Sequence, residues 1–186
     1  MQHAKKKARR TRLTTGGAVV ALGLAGVGAY SASAGGGRDA APAAVTEAAP
    51  AHTTATTRLT VAAATEAARA VLAAAEAENQ RVTVAVVDRD GNPLVTLRGD
   101  GAGPQSPESA ERKAYTAVSW NAPTSVLAGR LAQTPRLKDI PGTLFLAGGA
   151  PVTAQGAPIA GIGVAGAPSG DLDEKYARAG VAALER

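Results

Sequence analysis

The chain has very few large side chains from which to build a hydrophobic core. It contains one Phe, one Trp and three Tyr but 22 Gly, and it has no Cys for disulfides. Small side chains let helices approach a sheet closely, so close backbone packing must support the fold. The core of one copy is then thin for its length, and self-association would bury the Ala-lined helix surfaces. We therefore predict a homo-oligomer.

The first 34 residues have the order of a cleavable signal peptide. Six Lys and Arg residues precede a weakly apolar stretch over residues 16–30, and Ala32-Ser33-Ala34 forms a small-residue cleavage site. The apolar stretch is shorter than the ~20 residues that cross a bilayer. We therefore expect secretion of a chain that begins near Gly35. Arg9 and Arg10 partly match a twin-arginine (Tat) signal, and the Sec route stays open as the alternative.

Removal of this leader changes the sign of the net charge. The full chain has a formal net charge of +5, but the leader carries six of the 20 basic residues and none of the 15 acidic ones. The remaining chain has 14 basic and 15 acidic side chains. The high isoelectric point belongs to the leader, so it does not indicate nucleic-acid binding.

The rest of the chain divides into a tether and one domain. Residues 35–57 are rich in Ala, Pro and Thr without an apolar period, and we predict a flexible tether. Turn signals and hydrophobic periodicity over residues 58–186 predict an α+β fold, with an antiparallel five-stranded sheet packed by helices. The predicted helices cover residues 61–80, 106–120, 124–131 and 171–185, and the predicted strands cover residues 81–88, 93–98, 143–147, 150–154 and 158–164.

Polar residues mark several predicted helix starts and turns. Thr60 and Ser106 are candidate helix N-caps, and Asp171 with Glu174 has the spacing of a capping box. Acids are favoured in turns and caps for local reasons. We therefore interpret most acids as turn, cap or solvated residues, and not as metal ligands or acid–base pairs; they are Asp88, Asp90, Asp171, Asp173, Glu174, Glu76 and Glu78.

Residues 161–166 read Gly-Ile-Gly-Val-Ala-Gly and match the dinucleotide-binding pattern letter for letter. That pattern requires a turn that opens directly into a helix. Here the glycines lie inside an apolar strand, and the next helix begins later. We interpret them as positions where a helix backbone presses on the sheet or where a flat ligand lies.

The predicted domain contains no His, Cys or Met. This excludes Ser-His-Asp and Cys-His catalysis, zinc sites of the usual ligand type and haem ligation by those residues. His52 in the tether is the one histidine that could reach the domain by folding back. The sequence contains no catalytic constellation, and whether the protein is an enzyme is left open.

The second predicted helix carries the strongest candidate binding group. It holds Arg112, Lys113, Tyr115 and Thr116 behind a glycine-rich loop. Lys113 and Arg112 lie three and four residues before Thr116, so each shares a helix face with it. A flat anionic ligand would meet a cation, a hydroxyl and an aromatic ring there. The alternative is that Tyr115 is a core residue and the charges are solvated.

Segments throughout the domain resemble the GlcG/HbpS family. The match covers nearly all of residues 58–186 and is carried by Val86-Val87-Asp88-Arg89-Asp90-Gly91, Asp100-Gly101-Ala102, Lys113-Ala114, Thr116-Ala117, Gly148-Gly149-Ala150-Pro151-Val152 and the glycine motif of residues 161–166. The resemblance implies a profilin-like domain that forms oligomers, commonly octamers, without an established catalytic turnover.

For the exported branch of that family, the resemblance also implies haem binding and, for some members, a membrane sensor kinase partner that responds to haem and oxidative stress. A threonine of the second helix is implicated there in haem binding, and the matching position is Thr116. Tyr115 replaces a small residue of the family, and phenolate is a known haem ligand. Thr116 or Tyr115 is thus the expected iron ligand, beside Lys113 and Arg112.

Other relatives are fused to corrinoid enzymes or belong to glycolate-utilisation gene clusters. Because one fold serves many functions, two alternatives to an exported haem-binding protein stay open. One is a small-molecule or corrinoid-related enzyme, and the other is a structural oligomer without haem.

Overall fold

The computed structural model describes residues 46–185, so the predicted signal peptide and the tether up to residue 45 lie outside the described residues. The elements follow the order α1 (Val61–Ala77), β1 (Thr83–Asp88), β2 (Pro93–Arg98), α2 (Ser106–Trp120), α3 (Thr124–Arg130), β3 (Gly149–Ala154), β4 (Ala157–Ala165) and α4 (Gly170–Ala183). Short 3-10 helices cover Pro50–His52 and Pro135–Asp139. These elements belong to the unit that begins at Ala48. Among the described helices, none has the length and hydropathy needed to cross a membrane.

The fold is α+β, and its sheet has four antiparallel strands in the order β2-β1-β4-β3. The predicted turn between β1 and β2 is confirmed. The Asp88 carboxylate accepts hydrogen bonds from the backbone N–H groups of Asp90 at 2.9 Å and Asn92 at 2.8 Å. Gly91 has a φ of +91°, which favours glycine in this turn.

Helices cover both faces of the two central strands, and β1 is therefore buried at every position. On one face, apolar side chains of β1 and β4 form the main core with α1 and α4. These side chains alternate along the strands, as the two-residue period requires. The largest fully buried ones include Val84, Val86, Ile162, Val164 and the α4 residue Tyr176.

On the other face, α2 lies on glycines of β4. A Cβ added at Gly161 would collide with the Ala114 carbonyl oxygen, and a Cβ at Gly163 would collide with the Ala110 carbonyl oxygen. We call Gly161 and Gly163 the glycine seat. Its position confirms that the glycine motif marks close contact between a helix backbone and the sheet.

The prediction of a fifth strand over residues 143–147 is wrong. This segment is irregular and lies against α2. The Thr143 carbonyl accepts a hydrogen bond from Arg112, and the Leu144 N–H donates to the Thr116 hydroxyl. Side chains of α2 therefore take the backbone groups that would pair in a sheet, and β3 begins only at Gly149.

The start of α4 also differs from the prediction. Its N-cap is Ser169, whose hydroxyl accepts from the Leu172 N–H at 3.3 Å. The predicted capping box of Asp171 and Glu174 is therefore wrong, and Glu174 is buried. By contrast, the Thr60 cap of α1 is confirmed, because its hydroxyl accepts from the N–H of the residue at position 63 at 3.2 Å.

The predicted cap of α2 is wrong by one position. Gln105 is the N-cap and makes no capping side-chain hydrogen bond. Ser106 is the first helical residue, and its hydroxyl donates to the Gly103 carbonyl at 2.6 Å. Helix ends differ by a residue or two between definitions, but the hydroxyl's partner is outside the helix in either case.

Candidate functional site

The four candidate residues of α2 do not form a single cluster. Arg112 and Tyr115 line one cavity, which we call the Tyr115 pocket. Lys113 lines a different cavity, which we call the Lys113 pocket. Thr116 is fully buried between α2 and the 140–147 segment. The spacing predicted that Arg112 and Lys113 would each share a helix face with Thr116. In the structure these side chains lie in separate surroundings, and they do not form one binding surface.

The Tyr115 pocket is an open cavity of about 270 Å³. Gly91 and Gly142 lie at opposite edges of the Tyr115 ring, since a Cβ at these positions would lie 2.9 Å and 3.6 Å from ring carbons on the two sides. Both glycines have positive φ values, which disfavour a side chain there. The remaining lining residues are Val87, Pro93, Glu111 and Arg112.

The Tyr115 side chain is only partly buried, so Tyr115 is not the core residue of the alternative interpretation. Within residues 46–185, its hydroxyl has no hydrogen-bond partner, and no buried side-chain oxygen in that range lacks one. The hydroxyl is therefore exposed to solvent. A phenol oxygen can donate a hydrogen bond, accept one or bind a metal as phenolate.

Arg112 is the cationic lining residue of the Tyr115 pocket, which the acidic Glu111 also lines. Its guanidinium donates to the Thr143 carbonyl at 2.8 Å and lies 3.6 Å from the Glu108 carboxylate, while 41% of the side chain stays exposed. A guanidinium has five N–H donors. These two contacts leave donors for an anionic ligand.

The Thr116 hydroxyl makes two hydrogen bonds inside the protein. The oxygen donates to the Arg112 carbonyl at 2.7 Å and accepts from the Leu144 N–H at 2.8 Å. The side chain has no exposed surface in the described chain. Thr116 thus joins α2 to the irregular segment that replaced the predicted strand.

Lys113 forms a buried ion pair that the sequence did not predict. Its ammonium lies 2.8 Å from the Asp173 carboxylate and 3.0 Å from the Val164 carbonyl, and the two side chains are only 6% and 5% exposed. Burial raises the pKa of the Asp173 carboxyl, and the hydrogen bond and charge of Lys113 oppose this rise. The second carboxylate oxygen accepts from the Ala167 N–H at 3.0 Å.

The interpretation of Asp173 as a cap residue is therefore wrong. The helical spacing of α4 is a sequence signal for the burial of Asp173. Asp173 lies four residues before the buried Ala177 and seven before the buried Gly180, so the three residues share one face of the helix. A charged residue on an otherwise buried stripe requires a partner from another element. The sequence does not indicate that this partner is Lys113.

Glu174 also departs from its predicted role. Its carboxylate accepts from the backbone N–H and hydroxyl of Ser125, at 2.9 Å and 2.7 Å, and from Arg178 at 2.8 Å. Burial disfavours the charged form, but the hydrogen bonds from Arg178 and Ser125 outweigh it and lower the pKa of Glu174. The two hydrogen bonds from Ser125 connect α3 to α4.

Glu78 does not lie on a purely solvated face. It pairs with Lys175 and accepts a hydrogen bond from the Tyr176 hydroxyl at 3.0 Å. The hydrogen bonds from Lys175 and Tyr176 lower its pKa. Across residues 46–185, no group of three or more His, Cys, Asp or Glu side chains has the geometry for a metal ion.

Comparison with known families assigns the domain to a family. The family model described as "Haem degrading protein HbpS-like" matches residues 59–182. The chain belongs to the HbpS-like family. The resemblance found in the sequence is thus confirmed, and the protein belongs to a haem-related family. No curated protein matches the chain significantly.

Solved structures support the same assignment. HbpS is 74% identical, with a TM-score of 0.74 over 75% of this chain and 99% of the HbpS chain. A double mutant of HbpS from Streptomyces reticuli is 72% identical, with a TM-score of 0.75 over 76% and 97% of the two chains. A more distant match, at 26% identity, is PduOC in complex with haem, with a TM-score of 0.63 over 68% and 95% of the chains.

Proposed function

We propose that this HbpS-like protein binds haem at the Tyr115 pocket, with the Tyr115 oxygen as the iron ligand. The observation that carries the proposal is that Tyr115, with a solvent-exposed hydroxyl, and the partly exposed Arg112 line the same cavity. The haem complex of PduOC and the HbpS-like family description support haem as the ligand. Haem would supply an iron that takes an oxygen donor and propionates that take a cation.

The residues of the pocket fit these requirements chemically. Tyrosine is a known axial ligand of haem, and the domain offers no His, Cys or Met. Arg112 has free donors for a carboxylate, which arginine binds with two parallel hydrogen bonds. Val87 and Pro93 supply apolar contact, and the backbones of Gly91 and Gly142 flank the two edges of the Tyr115 ring.

The cavity in one protomer is small for a macrocycle. Its volume of about 270 Å³ lies below the ~300–1,000 Å³ of pockets that enclose drug-sized ligands. Haem bound here therefore extends beyond the pocket. We propose that a homo-oligomer, the octamer that the family resemblance implies, covers the exposed face with a second subunit.

Two other residues compete with Tyr115 as the ligand. Thr116 has the family precedent, but it is fully buried and its hydroxyl makes two hydrogen bonds inside the protein. His52 is exposed in the 3-10 helix Pro50–His52 and is a stronger iron ligand than a hydroxyl. Lys113 is held by Asp173, so Arg112 is the better candidate for the propionates.

Around this site we propose the wider role of an exported accessory protein. The twin-arginine-like leader supports export, and the family resemblance supports sensing of haem or oxidative stress together with a membrane sensor kinase. A second candidate function is the degradation of bound haem, which the wording of the family description favours.

The test is a haem titration of the purified protein followed by its optical spectrum. We expect Tyr115→Phe to change the spectrum of the bound iron and to weaken binding, because a phenyl ring offers no oxygen. Ser119→Ala is the matched control, since it removes a hydroxyl from the same helix that bonds only to the Tyr115 carbonyl. Arg112→Gln should weaken binding without changing the iron spectrum, and Arg69→Gln on α1 is its control.

Three outcomes would contradict the proposed function or its site. Absence of haem binding by the wild-type protein would refute the function. Loss of the spectrum in His52→Ala, with Tyr115→Phe unchanged, would assign the ligand to His52. Steady loss of the haem band with release of iron, in the presence of a reductant and oxygen, would favour degradation over simple binding.

A further inference from the structure

The segment over residues 140–144 forms one wall of the Tyr115 pocket. Thr143 turns the chain by donating from its N–H and hydroxyl to the Ile140 carbonyl, at 3.3 Å and 2.7 Å. Gly142 takes a φ of +79° within this turn. This places the Gly142 backbone at one edge of the Tyr115 ring.

Two hydrogen bonds from α2 fix this segment. Arg112 donates to the Thr143 carbonyl at 2.8 Å, and the Thr116 hydroxyl accepts from the Leu144 N–H at 2.8 Å. Thr116 is fully buried, whereas Arg112 is partly exposed to solvent. Exposed hydrogen bonds compete with water, so the buried bond of Thr116 is the firmer of the two.

A second contact holds the chain just beyond the segment. Phe145 is buried, and its ring packs edge to face on Trp120 with ring centroids 5.2 Å apart. This contact anchors position 145 to the end of α2 but does not reach Gly142. The position of Gly142 therefore depends on the hydrogen bonds to Thr143 and Leu144.

We propose that Thr116 is a positioning residue, which holds the 140–144 segment beside Tyr115 and shapes the pocket without touching the iron. The inference rests on the proposed haem site at Tyr115. The Thr116 hydroxyl donates to the Arg112 carbonyl and accepts from the Leu144 N–H through one of its two lone pairs. Because the side chain is fully buried, it would have to move out of the packed interior to reach iron, and that movement would leave the Leu144 N–H without its acceptor.

The experiment compares two substitutions at Thr116 with one control substitution at Ser119, all in the full chain. Thr116→Val keeps the shape but removes the acceptor, Thr116→Ser keeps the hydroxyl, and Ser119→Ala is the control for removal of a hydroxyl from α2. Haem affinity, the spectrum at saturation and exchange of the Leu144 amide hydrogen in the haem-free protein are measured for each.

We expect the Leu144 amide to exchange about tenfold faster in Thr116→Val, because it loses the acceptor that protects it. Haem affinity should fall by about tenfold as the pocket wall loosens, while the spectrum at saturation stays that of the wild type. Thr116→Ser should restore both the protection and the affinity. Ser119→Ala should change neither quantity.

Other results would overturn the inference. A changed spectrum in saturated Thr116→Val, with the wild-type spectrum in Thr116→Ser, would show that Thr116 ligates iron. Unchanged amide exchange in Thr116→Val would show that Thr116 does not hold the segment. If the wild-type protein binds no haem, the proposed function fails, whereas amide exchange still decides the positioning role. If Thr116→Val does not fold, Thr116→Ala replaces it, because the smaller side chain leaves room for a water at Leu144.

Discussion

Replacing Lys113 with Met should destabilise the protein in a pH-dependent way. The substitution leaves the Asp173 carboxylate buried without its cation, since the pair is 6% and 5% exposed in the two side chains. Removing one partner of a buried ion pair costs about 3–5 kcal/mol in the free energy of unfolding. The Ala167 N–H remains as one donor to the carboxylate, which favours the lower end of this range.

The pH dependence follows from the pKa of Asp173. Burial already raises this pKa, and loss of Lys113 raises it further. Between the pKa of the unfolded chain and the higher pKa of the folded state, only the folded state holds the proton, so stability falls as pH increases. Each pKa unit corresponds to ~1.4 kcal/mol in the free energy of unfolding. Most of the loss in that free energy should therefore develop between about pH 4 and pH 7.

The measurement is urea unfolding followed by circular dichroism at pH 4, 5.5 and 7, at one protein concentration. Arg58→Met is the matched control. Arg58 pairs with the half-exposed Asp90 and lies 3.6 Å from Asp88, whose carboxylate keeps its hydrogen bonds in the turn. Because the Arg58 side chain is 55% exposed, these contacts should contribute less than about 1 kcal/mol. The double variant Lys113→Met with Asp173→Leu should recover most of the lost stability. A cost below about 1 kcal/mol at pH 7, or an equal cost at pH 4 and pH 7, would refute the reasoning.

Three further predictions concern the packing, the assembly and the leader. Gly163→Ala should destabilise the protein by about 1–3 kcal/mol, because its Cβ meets the α2 backbone. Gly129→Ala in α3 is the control: its Cβ meets open space, and it should stabilise the protein by about 0.5–1 kcal/mol. Equal thermal midpoints for the two variants would contradict this prediction. Sedimentation at micromolar concentration should show an oligomer, and a monomer would refute the predicted assembly. Secreted protein should begin near Gly35 by N-terminal sequencing, and normal export after Arg9→Lys with Arg10→Lys would refute the Tat route.

Elements with local signals were predictable from the sequence. The Ala-rich periodicity of α1 and the turn at Asp88 have causes that act within a few residues. The glycine motif of β4 was predictable for another reason, since glycines inside an apolar strand indicate close approach of another backbone. The structure confirms each of them, with boundaries shifted by a few positions. The family resemblance then carried the assignment to the haem-related class.

The features that were missed depend on partners distant in the sequence. Residues 143–147 have the apolar pattern of a strand, but Arg112 and Thr116 take two of their backbone groups. Asp173 has a local reason to cap a helix, but its partner Lys113 lies 60 positions away. In the candidate site, the sequence identified four residues of α2 but not their division between two pockets, because helical spacing does not show which neighbours cover each side chain.

The glycine seat also bears on how this protein can change over evolution. Because α2 contacts β4 through backbone atoms at Gly161 and Gly163, the depth and angle of the helix do not depend on its outward side chains. Positions such as 111, 112 and 115 can therefore be exchanged without moving the platform that carries them. One scaffold with a fixed helix can then carry different side chains around the same cavity, and in this chain Tyr115 is one of them.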